Sequence, residues 1–172
     1  CLNTQTALNA DYPMPIAETA STFCETIIKK AALKSADAKD KLFILENELC
    51  DCAQVIVDIY SRYLFESRLI EKRQEGPLSV EEIKALMLEA QKEAYGHGLD
   101  HRYLHPYMWT WKPHYYEADY AFYNFPYAFG LLLAKGLYGL YQKQGATFAD
   151  TYEHFLSLTG KMSLEDVGKS VG

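Results

Sequence analysis

Apolar positions recur with a helical period along almost the whole chain, and no segment alternates in the way a half-buried strand does. The pattern therefore predicts an all-α fold of several helices. A first helix is expected from about Pro15 to Leu33, entered through Pro13 and Pro15. Ser35 and Asp37 are candidate caps for a second, much longer helix that ends at Gly76-Pro77. Its apolar positions Leu42, Leu45, Leu49, Ala53, Ile56, Tyr60, Tyr63 and Leu64 keep to one broad stripe, and unbent it would approach ~60 Å. "SVEE", Ser79 to Glu82, has the form of a capping box and opens a third helix to about Tyr95. "GHGLDHRYLHPYMWTWKPHYYEADYAF" follows and reads as an ordered aromatic-rich loop with short helical turns. Further helices are expected from near Asn124 to Gln144 and from Phe148 to Leu158, with Ser163 capping a last one. No repeat, low-complexity tract or linker interrupts this order, so residues 1–172 read as a single helical region.

Composition narrows the function classes. At 172 residues and 49% hydrophobic the chain can bury a sizeable core. A net charge of -6 leaves no basic footprint for nucleic acid or an anionic membrane. Apolar runs such as Gly130 to Ala134 are far too short to span a bilayer, and residues 1–20 lack an apolar core flanked by basic residues. Cys1, Cys24, Cys50 and Cys52 do not have zinc-knuckle spacing and are expected to be reduced, partly buried thiols. A cytoplasmic protein is the expectation. The chain begins at Cys1 and stops just after a short helix has begun, which suggests a piece of a larger protein.

Two groups of residues carry possible chemistry. Glu18 and Glu25 are seven residues apart, close to two turns, so both carboxylates share a helix face with Thr22 between them. Acidic groups near a helix start complement the macrodipole without any further role; a metal or catalytic role is the other reading. The second group is "WKPHYYEADYAFYNFPYAFG", which holds His114 and the tyrosines Tyr115, Tyr116, Tyr120, Tyr123 and Tyr127. It reads either as aromatic packing or as neutral hydrogen-bond donors aimed at one substrate oxygen, because a phenol keeps its proton near neutral pH. His97, His101 and His105 have i, i+4, i+8 spacing, but Gly96, Gly98 and Pro106 argue against a helix there and hence against a metal site. His154 reads as a surface residue.

"YPMPIAETASTFCE" together with "PHYY…FYNFPYAFG" resembles the C-terminal part of the oligoendopeptidase F group, among the thimet-oligopeptidase-like zinc metallopeptidases. The resemblance implies an almost wholly helical catalytic domain around a channel that admits oligopeptides. It implies zinc as cofactor, with Glu18 as third zinc ligand and Glu25 supporting a ligand histidine from behind. It implies that His114 and a tyrosine of "FYNFPYAFG", Tyr123 or Tyr127, hydrogen-bond the scissile carbonyl. The histidine and the tyrosine segment are a few residues farther apart here than in the family, so Tyr116 and Tyr120 stay candidates for substrate binding. No His-Glu-x-x-His occurs in the chain and no histidine precedes His97. The two histidine ligands and the glutamate base are therefore expected in an upstream part of the same protein, and the chain alone is expected to be metal-free, inactive and inclined to expose apolar surface or self-associate. The rival reading is an inactive helical module whose aromatic groove binds a peptide or a partner protein.

Overall fold

The structure, a computed structural model, describes residues 5–171. Among them it is all helix, with no strand. The principal helices are α1 (Met14–Ser35), α2 (Ala38–Ala53), α3 (Ile59–Arg73), α4 (Val80–Tyr95), α5 (Phe125–Gln144), α6 (Phe148–Ser157) and α7 (Leu164–Lys169). Four 3-10 turns fill the segment between α4 and α5 where a loop with short turns was expected. No helix among the described residues is long and apolar enough to cross a membrane.

Local chemistry accounts for the boundaries. Pro13 is the N-cap of α1 and Pro15 lies in its first turn, where a missing N–H costs nothing. The Asp37 carboxylate accepts from the Asp40 N–H at 2.9 Å and so caps α2. Ser79 and Glu82 form the full reciprocal capping box of α4. Gly96 ends that helix at φ 51°, a conformation that suits a residue without Cβ.

The expected long helix differs in one respect. Between α2 and α3 lies a π-helical turn, Gln54–Asp58, closed by the Ile59 N–H on the Gln54 carbonyl. The extra residue rotates every later position by about 100° relative to an uninterrupted α-helix. The apolar stripe read from the sequence is largely exposed on both sides of the turn, at Leu42, Leu45, Leu49, Ile56, Tyr60 and Tyr63. α2 buries none of its residues, and Leu42, Phe43, Leu45 and Leu49 are exposed, whereas Ile59 and Phe65 of α3 are buried. Cys50 shares the exposure of α2 and Cys24 is also exposed, although both were expected to be partly covered; these and Cys52 are free thiols, and Cys1 lies outside the described residues.

The described residues form two compact units, the first from Cys1–Ile44 and Phe129–Gly172, the second Leu45–Ala128. In the first, α1 contributes Ile16 and Phe23 to a core shared with Ala134, Leu137, Phe148, Phe155 and Val167. The Phe23 ring lies 5.7 Å from Phe148 and 4.5 Å from Tyr152, centroid to centroid. Gly130 of α5 permits a close approach to α1: a Cβ there would fall 2.7 Å from the Glu18 Cβ and 2.9 Å from its carbonyl carbon. Since one neighbour is backbone, Gly130→Ala is expected to destabilise the protein by about 1–3 kcal/mol, read as a lowered urea midpoint. An unchanged midpoint would mean that the contact gives way freely.

In the second unit α3 packs on α4 through Phe65, Leu86, Met87 and Ala90. Trp109 and Tyr115, from the turns after α4, pack against the same cluster. Gln91 of α4 ties these turns down, donating to the His105 carbonyl at 2.9 Å and accepting from the His105 N–H at 3.0 Å.

Candidate active site

The site residues named from the sequence fall into both units. Glu18, in the second turn of α1, is half-buried beside Gly130. Glu25, two turns on, is exposed and pairs with Lys29 at 2.9 Å. Among the described residues no three His, Cys, Asp or Glu groups lie close enough to hold a metal ion. Catalytic zinc takes three protein ligands, so Glu18 by itself makes no such site.

The second unit gathers the aromatic candidates. His114 lies in a 3-10 turn opened by Pro113, and Tyr120 ends another. Pro113, His114, Glu117, Tyr120 and Tyr123 line one open cavity of about 210 Å³. The Tyr123 ring stacks on the His114 ring at 5.7 Å and meets the Tyr120 ring edge-on at 5.5 Å. Tyr127, in the first turn of α5, donates its hydroxyl to the Tyr123 hydroxyl at 3.4 Å. Tyr116 is exposed and lines a second cavity of about 450 Å³, walled by Phe65, Leu69, Ile83 and Trp109. His97, His101 and His105 are exposed and do not share a helix, and His154 is exposed on α6.

A buried polar chain lies behind this cavity. The π turn delivers Asp58 to the interior, only 4% exposed. Its carboxylate accepts from Arg62, from Gln54 at 2.8 Å and from the Tyr95 hydroxyl at 2.9 Å. Burial and this bond push the Tyr95 pKa up to about 12. Arg62, also buried, reaches the Asn124 Oδ1 at 3.5 Å, and the Asn124 amide donates to His114 Nε2 at 2.9 Å. Burial, and then the positive charges of Arg62 and Lys112, hold the His114 pKa below the usual histidine range, so the ring is neutral near pH 7.

Phe122 fixes the bend that brings Asn124 to His114. Among the described residues it is the non-glycine residue with positive φ, 56°, a strained conformation that persists where the surroundings impose it. Glu66 does so, its carboxylate accepting from the Phe122 N–H at 2.7 Å. Burial raises the Glu66 pKa, and the Phe122 bond offsets part of that rise. A carboxyl whose folded pKa lies above its unfolded value contributes stability that is complete below the unfolded pKa and lost as pH rises through the folded one. Glu66→Gln keeps the acceptor and cannot ionise. Its urea midpoint is expected to fall less than the wild-type midpoint between about pH 4 and pH 7; parallel pH profiles would place the slope elsewhere.

Comparison with known proteins bears on this geometry. No protein-family model matches the chain, and no solved structure matches it. Oligoendopeptidase F, chromosomal, from Lactococcus lactis subsp. cremoris is 32% identical over 126 residues. The likeness supports a peptidase relationship. The match takes in 72% of this chain and 20% of that relative, so the chain spans about a fifth of the length of the protein it resembles.

Sequence reasoning missed Asp58, Arg62, Glu66 and Asn124. The i, i+4 spacing of Asp58 and Arg62 was a visible signal for the first pair. Asn124 stood inside the aromatic motif and was passed over for its tyrosines. The contact between Glu66 and Phe122, 56 residues apart, has no local signature.

Proposed function

We propose that this chain is the C-terminal part of the catalytic domain of a zinc metallo-oligoendopeptidase of the thimet-oligopeptidase-like family, acting in the cytoplasm on oligopeptides. The observation that carries the reading is the cavity at which His114, Tyr120 and Tyr123 converge, in a chain whose sequence is similar to an oligoendopeptidase. Glu18 is the ligand this chain contributes, and Glu25 supports a ligand histidine from behind, exchanging Lys29 for it. An upstream part of the same protein supplies the His-Glu-x-x-His. When bound, zinc would polarise the scissile carbonyl and render water nucleophilic near neutral pH.

The chain's own residues then bind and stabilise. Neutral His114 and the Tyr123 hydroxyl donate to the carbonyl oxygen as negative charge grows on it, and Tyr127 orients the Tyr123 hydroxyl. Tyr116 and Tyr120 offer ring faces and hydroxyls to flanking peptide. The exposed apolar face of α2 fits a helix that another part of the intact protein covers, or that a second copy covers when the chain is alone. The test is direct: the full-length protein should carry His-Glu-x-x-His upstream of Cys1 and cleave unstructured oligopeptides. A full-length sequence without that motif would overturn the reading in favour of a peptide- or partner-binding module.

A further inference from the structure

Asn124 sits between a group that can only donate and a ring that can do either. Arg62 carries N–H donors and no acceptor, so the Asn124 atom facing it at 3.5 Å is the carbonyl oxygen. The amide nitrogen therefore faces His114 Nε2, at 2.9 Å. That nitrogen can only donate, so Nε2 must accept with its lone pair. In a neutral imidazole the proton then resides on Nδ1. Arg62 is itself fixed by the Asp58 carboxylate, and Asp58 by the π turn together with Gln54 and Tyr95. The order of donors along the chain is thus dictated from its buried end outward. Stacking on Tyr123 and contact with Tyr115, at 4.3 Å between centroids, hold the ring plane.

We propose that Asn124, oriented by Arg62, is a positioning residue that holds His114 in the Nδ1–H tautomer, so that the ring offers the cavity a neutral N–H donor and not a basic nitrogen. A donor suits a carbonyl oxygen on which charge develops, and a base does not. The identity of the recipient, a peptide carbonyl, rests on the function proposed above; the tautomer does not.

Nitrogen NMR of the intact protein with labelled histidine reads the tautomer, the His114 signals being those lost in His114→Gln. In the wild type near neutral pH, Nδ1 is expected to be protonated and Nε2 bare. Asn124→Asp retains the side-chain shape and a partner for Arg62, but presents an acceptor to the ring. It should move the proton to Nε2 and lower kcat for oligopeptide cleavage by roughly a hundredfold, with KM changed by less than about threefold. A purely structural Asn124 would leave the proton on the same nitrogen in both proteins. A wild-type ring protonated at Nε2, or a proton that stays put in Asn124→Asp, overturns the assignment. A wild type that shows the Nδ1–H tautomer, with a proton that moves to Nε2 in Asn124→Asp, but that cleaves no oligopeptide supports Asn124 as the positioning residue and refutes the peptidase reading instead.

Discussion

In the intact protein Glu18→Gln is expected to abolish peptide cleavage by loss of the metal, with folding retained. The substitution keeps the volume of the side chain and its fit beside Gly130, where there is no room for a larger rearrangement of α1 against α5. It would remove the negative charge of the ligand proposed above, one of the three protein ligands that catalytic zinc requires. Disturbing groups that merely orient ligands typically costs about 10–100-fold in metal affinity, and loss of a ligand's charge should cost more. Dialysis against a chelator followed by metal analysis reads the effect. Equal zinc retention by wild type and variant would remove Glu18 from the ligand set.

Tyr123→Phe is the second large effect, and its signature differs. The ring, its stacking on His114 and its edge contact with Tyr120 all survive; only the hydroxyl that accepts from Tyr127 is lost. A donor that meets the oxyanion acts mainly in the transition state, so kcat and kcat/KM should fall together while KM changes little. The expected drop is about a hundredfold, or roughly 3 kcal/mol of barrier. Tyr127→Phe should fall less, since that hydroxyl is one bond farther from the His114 cavity. If Tyr123→Phe kept near-normal kcat, Tyr120, on the same cavity wall, would become the candidate donor.

The fold was legible where its signals are local. The Ser79–Glu82 capping box, the Asp37 cap, the prolines entering α1 and the turns of the glycine- and aromatic-rich loop all appear as read. The π turn was not legible, because a single extra residue in a helix leaves the period of the flanking segments intact and changes only their relative phase. The stripe from Leu42 to Leu64 is exposed along most of its length, before and after the turn.

The candidate site divides along the same line. That His114, Tyr120 and Tyr123 come together at one cavity was legible because the aromatic and imidazole side chains cluster within one short segment. What lay beyond reach was the support behind them. Asp58 comes from the π turn and Arg62 from α3, and Glu66 crosses 56 residues to hold Phe122 in its strained conformation. The i, i+4 spacing of Asp58 and Arg62 announces that pair, but the partners they and Glu66 meet across the unit are chosen by tertiary packing, which no spacing rule shows.

The central claim is that this chain completes a zinc-dependent oligopeptidase. It is tested most directly by cleavage of a mixed set of oligopeptides by the full-length protein as isolated, after metal removal, and after zinc is restored. Cleavage that disappears with the metal and returns with stoichiometric zinc is the predicted result. Cleavage indifferent to metal removal, or no cleavage by the zinc-loaded protein, would contradict it.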